Sequence, residues 1–464
     1  MALQFYNTLK REKEIFHPIE EGKVGLYTCG PTVYDYAHIG NFRTFMFEDL
    51  LKRWLLHLGF DVNHVMNITD VDDKTIKKSQ AEGVDLFEIT ERYTDFFMKD
   101  LDWLKIIPAD IFPKATDSIP KMIRMIKILL EKGFAYREDD GSVYFNIRSF
   151  PDYGLLTKIN MVNQQSASRV SDDEYDKDAP QDFALWKGWK EEDGDVVWDA
   201  PWGSGRPGWH IECSAMSSET LGDHFDIHCG GVDNMFPHHE NEIAQSQCAT
   251  DEPFVNVWLH SEFLLVDGGK MSKSLGNFYR ISDLKEMGFT PECIRYQLLA
   301  GHYRSKITFS ADKKHEGDNI VQKIPDLKSR LKKRNSAMFA DGSYPEEYSE
   351  FKERMNDDLN TPRSFAVFFD WMKIINSKLD QNNISEQELG QGWEFIQAFD
   401  KIFGLIKSDQ LPEIPIEITH LANQRDKARK MRDWAEADSF RQILKSKGWI
   451  VEDTPNGQQI KKQS

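Results

Sequence analysis

The sequence predicts an α/β protein built on a parallel β-sheet, and three local observations carry this prediction. A short apolar run at residues 24–29 stops at a glycine–proline pair, an amphipathic helix follows the loop, and a second apolar run occupies residues 61–68. Strand, loop, helix and strand in this order open a sheet of the Rossmann type. Residues 225–228 resume the pattern, as a strand that runs into Gly230 and Gly231.

The first helix has its own start signal and its own apolar face. We expect Asn41 to cap it, since asparagine accepts hydrogen bonds from the free N–H groups of a helix start. Bulky apolar residues recur behind it at helical spacing, as they do on a helix that packs on a core. They are Phe45, Leu50, Leu51 and Trp54.

Changes in composition divide the chain into four parts. Near Ser118 the sheet pattern gives way to a helix, a turn, a strand at 142–145 and an acidic stretch at 171–178, which indicates an insertion. Beyond about residue 310 the chain becomes helical and charged, and Pro412 and Pro415 mark a further boundary. We therefore expect a parallel-sheet domain at 1–117 and 201–310, an insertion at 118–200, an α-helical bundle at 311–410 and a small C-terminal domain at 411–464.

Composition excludes several classes of protein. Hydrophobic residues make up 40% of the chain, so a sizeable core is possible, yet no apolar run approaches the length of a membrane span. The net charge of −18 argues against indiscriminate coating of nucleic acid, which needs a basic face. Five cysteines in 464 residues do not make a disulfide framework, and the charged first sixteen residues do not resemble a secretory signal. We expect a cytoplasmic protein.

Two short motifs are suited to binding phosphate. His38, Gly40 and Asn41 stand where a loop opens a helix, so that backbone N–H groups and the helix dipole face the loop. Lys270 and Lys273 lie with two serines on a glycine-flanked loop that can wrap a polyphosphate. The alternatives are a histidine that only caps the helix and a solvated surface turn.

A third group of residues has the chemistry of a metal site. His238 and Glu242 lie at i and i+4, on one face of an expected helix that starts at a proline. With Cys29 and Cys213 brought near, they would form a zinc site of two thiolates, an imidazole and a carboxylate. Cysteines so far apart carry no spacing signal, and a core role for Cys29 stays open. A zinc protease is excluded, because Ile243 stands where the motif requires a second histidine.

The last part of the chain carries a basic stripe. Arg425, Arg429 and Arg432 fall at i, i+4 and i+7, and Trp434 follows them. Arginines beside an exposed indole suit contact with RNA phosphates and stacking on a base. The alternative is a solvated helix whose tryptophan packs inward.

Together these motifs resemble the class I aminoacyl-tRNA synthetases, whose two signatures look like residues 38–41 and 270–274. Five longer blocks are similar to the cysteinyl-tRNA synthetase family: residues 27–35, 67–74, 205–216, 236–246 and 301–305. The resemblance spans residues 1 to about 310 closely and the remainder more loosely. Two departures stand out: Asn41 replaces the second histidine of the first signature, and Cys229 replaces a usual glycine beside His228 in the expected pocket. From spacing alone, Cys229, Cys248 and Cys293 have no close cysteine or histidine partners, and we interpret all three as core or incidental residues.

The resemblance implies an activity, its cofactors and the residues that carry it. The family activates L-cysteine with ATP and Mg²⁺ and transfers it to tRNA(Cys). We expect this chain to act as a monomer. The implied zinc ligands are Cys29, Cys213, His238 and Glu242; the implied ATP-binding residues are His38, Gly40, Asn41, Asp233, Lys270 and Lys273; the implied amino-acid pocket is Gly30, Thr69, Trp209 and His228. Of these, His38, Asn41, Lys270 and Lys273 would be catalytic, and the C-terminal arginines with Trp434 would bind tRNA.

Two rival functions share the same catalytic motifs. A ligase that joins cysteine to an amino sugar would keep Cys29, Cys213, His238 and the lysine loop, but residues from about 410 onward suggest an anticodon-binding region that such relatives lack. A catalytically inactive paralogue is disfavoured by the intact lysines and ligands.

Overall fold

A computed structural model of the chain describes residues 1–158, 169–170, 181–269, 271, 277–334, 342–407, 416–430, 434–447, 449–454 and 457–462. It divides into two units, Met1–Ile406 and Lys407–Ser464. No helix among these described residues combines the length and apolar character that crossing a membrane requires.

The elements of the first unit follow in chain order. The strands are β1 (Gln4–Asn7), β2 (Glu12–Ile15), β3 (Lys23–Thr28), β4 (Asp61–Met66), β5 (Ala135–Arg137), β6 (Val143–Phe145), β7 (Arg169–Val170), β8 (Asp182–Gly188), β9 (Gly205–Pro207), β10 (Phe225–Gly231), β11 (Val255–Ser261), β12 (Leu264–Val266) and β13 (Ile307–Phe309). The helices are α1 (Ile39–His57), α2 (Asp73–Glu82), α3 (Leu86–Trp103), α4 (Ile119–Glu131), α5 (Trp209–Leu221), α6 (Glu240–Thr250), α7 (Ile281–Glu286), α8 (Pro291–Leu299), α9 (Lys314–Arg334), α10 (Glu346–Asn356), α11 (Thr361–Asp380) and α12 (Glu386–Phe403).

A parallel sheet forms the centre of this unit, as the sequence predicts. Within the described residues it has four strands in the order β11-β10-β3-β4, and every neighbouring pair is parallel. Helix α1 connects β3 to β4 as a parallel crossover. Because all four strands are parallel, their carboxyl ends meet at one edge. The loops that leave this edge carry the motifs singled out from the sequence.

The start of α1 differs from the prediction in which Asn41 caps the helix. His38 is the capping residue: its Nδ1 accepts the Asn41 backbone N–H at 3.2 Å, and the Asn41 side chain accepts the His38 N–H at 3.0 Å. Asn41 therefore completes a reciprocal cap from the third helical position. The helix begins earlier than expected, and both His38 and Asn41 stabilise its first turn.

The insertion contains a sheet of its own. Its described strands run in the order β5-β6-β8-β7, with β9 paired to the other part of β8, and only β7 is parallel to its neighbour. The predicted strand at 142–145 is β6, whereas the acidic stretch at 171–178 lies outside the described residues. Since β9 leads into α5, this sheet is connected directly to a helix of the central domain.

Helices α8 to α12 pack around an aromatic core, in which the Phe368 and Phe399 rings stack at 3.6 Å. The second unit contains α13 (Ile416–Lys430), α14 (Trp434–Ser446) and the antiparallel pair β14 (Trp449–Thr454) and β15 (Gly457–Lys462). Its own small core includes Ala422, Leu444 and Val451.

A carboxyl group is buried between α1 and the central sheet. Burial raises the pKa of Glu48 well above its ordinary value of 4.5, and the nearby Thr28 hydroxyl lowers it only in part. The folded chain therefore holds a proton that the unfolded chain releases above that pH. Folding stability is lost as the pH rises, because unfolding releases this proton.

We expect Glu48→Gln to stabilise the chain, by an amount that increases with pH between about pH 5 and pH 8. Glutamine keeps the shape of the protonated carboxyl but has no proton to lose. Urea unfolding at several pH values measures the difference, with Glu286→Gln on the exposed end of α7 as the matched control. A gain that does not change with pH would contradict a protonated Glu48.

Candidate active site

Loops at the carboxyl edge of the sheet bring the expected pocket residues together. Gly30 follows β3 and Thr69 follows β4, while Asp233 lies exposed in the loop after β10. The Thr69 hydroxyl donates to Glu212 Oε2 at 3.0 Å and accepts from Asn67 Nδ2 at 3.1 Å. Thr69 is thereby fixed between its own loop and helix α5.

Gly30 stands where two backbone segments approach closely. A Cβ atom at this position would lie 1.7 Å from the Asn67 carbonyl oxygen, which no side chain permits. The Gly30 N–H donates to Asn67 Oδ1 at 2.9 Å, so the two loops are also bonded. Glycine is therefore required by space here, next to Cys29.

We expect Gly30→Ala to separate these two loops, at a cost of about 1–3 kcal/mol or more in the free energy of unfolding. The activity that the family resemblance implies should fall further than stability alone explains, since the loop of Thr69 moves with Asn67. Urea unfolding measures the first effect, and ATP–pyrophosphate exchange, the assay of that expected activity, measures the second. Gly25→Ala within β3 is the control, because its Cβ would meet Phe225 Cβ no closer than 3.4 Å, an ordinary van der Waals distance. Equal losses of stability and activity in Gly30→Ala and Gly25→Ala would contradict a close approach of Gly30 to the Asn67 backbone.

Four buried side chains from separate elements converge beside this pocket. Cys29 follows β3, Cys213 lies on α5, His238 precedes α6 and Glu242 lies in its first turn. Their ligand atoms all lie within 4.8 Å of one another, and His238 Nε2 is 3.0 Å from Glu242 Oε1. The structure thus places together the four residues that the resemblance assigns to a metal.

The turn that presents His238 differs from the predicted helix start. Residues Met235–His239 form a wide turn, Phe236 has extended backbone angles and its bond to Pro237 is cis. Helix α6 begins only at Glu240. His238 and Glu242 are nevertheless adjacent, because the turn continues into the helix.

A second set of ligands overlaps the first. Cys29 and Glu242 also lie with His228 and His239, again with all ligand atoms within 4.8 Å. His228 Nε2 is 2.9 Å from Glu242 Oε2, and His239 Nε2 is 3.3 Å from Cys29 Sγ. No sequence pattern singled out His239, although its position three residues before Glu242 places both on one side of the turn.

The electrostatics of the cluster suit a divalent cation. Burial raises the pKa of Glu242 and raises that of Cys29 well above its ordinary value, while a hydrogen bond from Cys29 lowers the pKa of Cys213. Glu242 Oε1 is buried, and its contact with His238 Nε2 at 3.0 Å does not have the geometry of a hydrogen bond. Thiols, imidazole and an under-coordinated carboxylate in one buried place fit a metal ion, which would offset the charge of the deprotonated ligands.

Aromatic rings surround the two pocket residues Trp209 and His228. Trp209 stacks on the ring of His238 at 4.3 Å, and His228 stacks on Trp258 at 4.6 Å. Tyr27 closes the other side, with its ring 5.0 Å from His228. Both residues therefore lie directly against the cluster.

Cys229 lies in the core, as its spacing predicts, and not in the pocket where the family resemblance would place it. Successive side chains of a strand point to opposite faces, so Cys229 and its neighbour His228 diverge. Cys229 is fully buried in the core that contains the apolar side of α1, and burial raises the pKa of its thiol well above the ordinary value. It neither crowds the pocket nor offers a thiol to it.

The loop with the second signature lies only partly within the described residues. Lys270 and Lys273 fall outside them, whereas Met271 is described: its Cε lies 2.9 Å from where a Cβ of Gly40 would stand. Beyond the loop, the Tyr279 carbonyl accepts the Ile39 N–H at 2.9 Å. The flanks of this loop therefore adjoin the start of α1.

The C-terminal arginines do not form the exposed stripe that the spacing predicts. Arg425 is buried, with 1% of its surface exposed. Arg429 lies with its guanidinium 5.8 Å from the ring of Trp434, which is 58% exposed, and Arg432 lies outside the described residues. Helix α13 ends at Lys430, so Trp434 belongs to the next helix.

Comparisons with known proteins define the class and then the family. A family model described as "tRNA synthetases class I (C) catalytic domain" matches residues 15–319, and a "DALR domain" model matches residues 350–407. In fold the chain is similar to the Mycobacterium tuberculosis methionyl-tRNA synthetase in complex with methionyl-adenylate, with a TM-score of 0.62, 15% identity, and coverage of 89% of this chain and 96% of that one. The chain is a class I aminoacyl-tRNA synthetase.

Full-length relatives narrow the class. The chain is 46% identical over 486 residues to the cysteine–tRNA ligase of Chlamydia trachomatis serovar A, covering 100% of both chains. It is 44% identical over 471 residues to that of Protochlamydia amoebophila, covering 100% of this chain and 98% of the relative. It belongs to the cysteine–tRNA ligase family.

Proposed function

We propose that this chain activates L-cysteine with ATP and transfers it to the 3′ end of tRNA(Cys). In the first step the cysteine carboxylate attacks the α-phosphorus of ATP, which forms cysteinyl-adenylate and releases pyrophosphate. In the second step a ribose hydroxyl of the terminal adenosine attacks the adenylate carbonyl and releases AMP. The observation that carries this proposal is the buried cluster of Cys29, Cys213, His238 and Glu242 beside the pocket of a cysteine–tRNA ligase family member.

We infer that the cluster holds zinc and selects the substrate's sulfur. Two thiolates, one imidazole and one carboxylate are a donor set that zinc prefers. Bound zinc supplies a coordination position for a thiolate, which is a far better ligand for it than the hydroxyl of serine. Shape alone would discriminate weakly between two amino acids of similar size.

The chain's own residues orient the substrate around that position. The rings of Trp209 and His228 lie against the cluster, and hydrogen bonds with Glu212 and Asn67 fix Thr69. Their fixed positions would hold the carboxylate of cysteine toward ATP. Positioning of this kind accounts for a large share of the rate in a reaction without a covalent enzyme intermediate.

The phosphates of ATP would lie at the start of α1. The reciprocal cap between His38 and Asn41 fixes the first turn, whose backbone N–H groups carry the positive end of the helix dipole. Gly40 leaves space in this turn, and Lys270, Lys273 and Mg²⁺ would neutralise charge that develops on pyrophosphate. Asp233 would bind the ribose or the substrate ammonium.

Binding of tRNA remains a proposal for the second unit. Trp434 and Arg429 present an exposed indole and an adjacent guanidinium, a pairing that suits stacking and phosphate contact. Arg432 stays a prediction, and the burial of Arg425 assigns that side chain to the interior instead. Action as a monomer in the cytoplasm also stays a prediction.

A charging assay tests the proposed function. Purified chain, ATP, Mg²⁺, unfractionated tRNA and labelled cysteine should give labelled tRNA, whereas labelled serine should give none. Transfer of cysteine to an amino sugar, without transfer to tRNA, would support the amino-sugar ligase instead. The absence of both transfers would contradict the proposal.

A further inference from the structure

An ion-pair network joins the insertion to the central domain next to the amino-acid pocket. Arg206 on β9 donates from Nε to Asp193 at 2.9 Å and from a terminal nitrogen to Asp73, the first residue of α2. Lys187 on β8 donates to Asp73 at 3.0 Å. Except for Asp73, which is partly exposed, these side chains are buried.

The network places two like charges side by side, and carboxylates from both sides offset them. Lys187 and Arg206 are direct partners in the antiparallel pairing of β8 with β9, and like charges directly opposite one another destabilise a sheet. Asp73 lies against both cations. Partial burial would raise the pKa of Asp73, but the two cations together hold it well below its usual range. The first residue of α2 therefore stabilises this pairing of β8 with β9.

Arg206 stands three residues before the first pocket residue of α5. Pro207 and Gly208 separate it from Trp209, and a Cβ on Gly208 would lie 2.0 Å from the Ala184 carbonyl oxygen. The helix has no side-chain cap of its own at Gly208. Pro207 has a fixed φ angle and Gly208 is tightly packed, so the backbone between Arg206 and Trp209 is restrained. The position of Arg206 therefore sets the position of the helix start.

Both walls of the pocket are attached to this network. Helix α5 carries Trp209 and Cys213, whereas Asp73 follows the loop of Thr69 by four residues. The bond from Thr69 to Glu212 on α5 joins the same two walls a second time.

We propose that Arg206 is a positioning residue for thiol recognition: through Asp73 and Asp193 it holds the start of α5, and with it Trp209 and Cys213, against the loop of Thr69. The inference rests on the proposed function, because it concerns the same amino-acid site. It assigns no contact between Arg206 and any substrate. Arg206 therefore affects the binding of cysteine and of the metal, and it does not affect the binding of ATP.

Arg206→Lys tests the proposal, because lysine keeps the charge but cannot bond two carboxylates as a planar guanidinium does. In ATP–pyrophosphate exchange we expect the KM for cysteine to rise about 10-fold, in line with the effect of residues that orient metal ligands. The KM for ATP should stay unchanged. Competition with a chelator should show weaker zinc binding, which is a readout independent of activity. Arg206→Met should show larger changes of the same kind.

The control is Arg53→Lys, a similarly buried arginine whose Nε donates to both oxygens of Asp49, on the middle of α1. It should lower the unfolding midpoint without changing the KM for cysteine relative to that for ATP. If Arg206→Met does not fold, Asp193→Asn removes the charge of one of the two ion pairs and leaves the shape. Unchanged KM for cysteine and zinc affinity in Arg206→Lys, or equal changes for both substrates, would overturn the proposal. A wild-type chain that does not activate cysteine would instead overturn the proposed function.

Discussion

Cys213→Ser should abolish stoichiometric zinc binding and cysteine activation together. The substitution replaces one of four buried ligand atoms by a poor zinc ligand while keeping nearly the same volume. Loss of residues that only orient ligands costs about 10–100-fold in affinity, so loss of a ligand itself should cost at least that much. Metal analysis after gel filtration and ATP–pyrophosphate exchange measure the two quantities.

The control for this variant is Cys248→Ser, because Cys248 is also a buried cysteine but lies outside both ligand sets. It should retain zinc and activity. One zinc per chain in Cys213→Ser would contradict the assignment of Cys213 and would point to the second set, completed by His228 and His239. His239→Gln would then lose the ion.

Arg295→Met should destabilise the first unit by about 3 kcal/mol or more, since it leaves a buried carboxylate without one of its partners. Arg295 and Asp49 are fully buried, with Nη2 to Oδ2 at 2.7 Å. Its other nitrogens donate to the carbonyls of Phe403 and Leu104, so one side chain on α8 satisfies groups from three other segments. Methionine fills the space but restores none of these bonds.

Urea unfolding measures this effect. The control is Arg354→Met, which breaks an exposed pair with Glu350 within α10 and should change the free energy of unfolding by less than about 1 kcal/mol. Similar midpoints for the two variants would show that the buried network does not stabilise the unit.

The central sheet could be predicted because its signals are local. Apolar runs that end in glycines identify β3 and β10, and the pattern behind Asn41 identifies α1. The same local reasoning assigned the cap to Asn41, whereas His38 is the capping residue. The two side chains bond reciprocally, so Asn41 contributes to the cap from inside the helix. Periodicity locates a helix better than it locates its ends.

The site was predictable only in part, because its members come from distant segments. Spacing relates His238 to Glu242, but nothing local relates Cys29 to Cys213; the resemblance to a family supplied that link. Helical spacing likewise places Arg425 and Arg429 one turn apart on the same side of a helix, without showing which of them packs inward. The contacts of Arg206 have no sequence signal either, since they depend on the docking of one sheet against one helix end.

We propose that a metal held by Cys29, Cys213, His238 and Glu242 recognises the thiol of the substrate. The most direct measurement replaces that metal by cobalt(II), whose near-ultraviolet absorption reports bonds to thiolate. Adding L-cysteine should increase this absorption by the contribution of one further thiolate, whereas L-serine should leave it unchanged. The same spectrum with both amino acids would contradict the account.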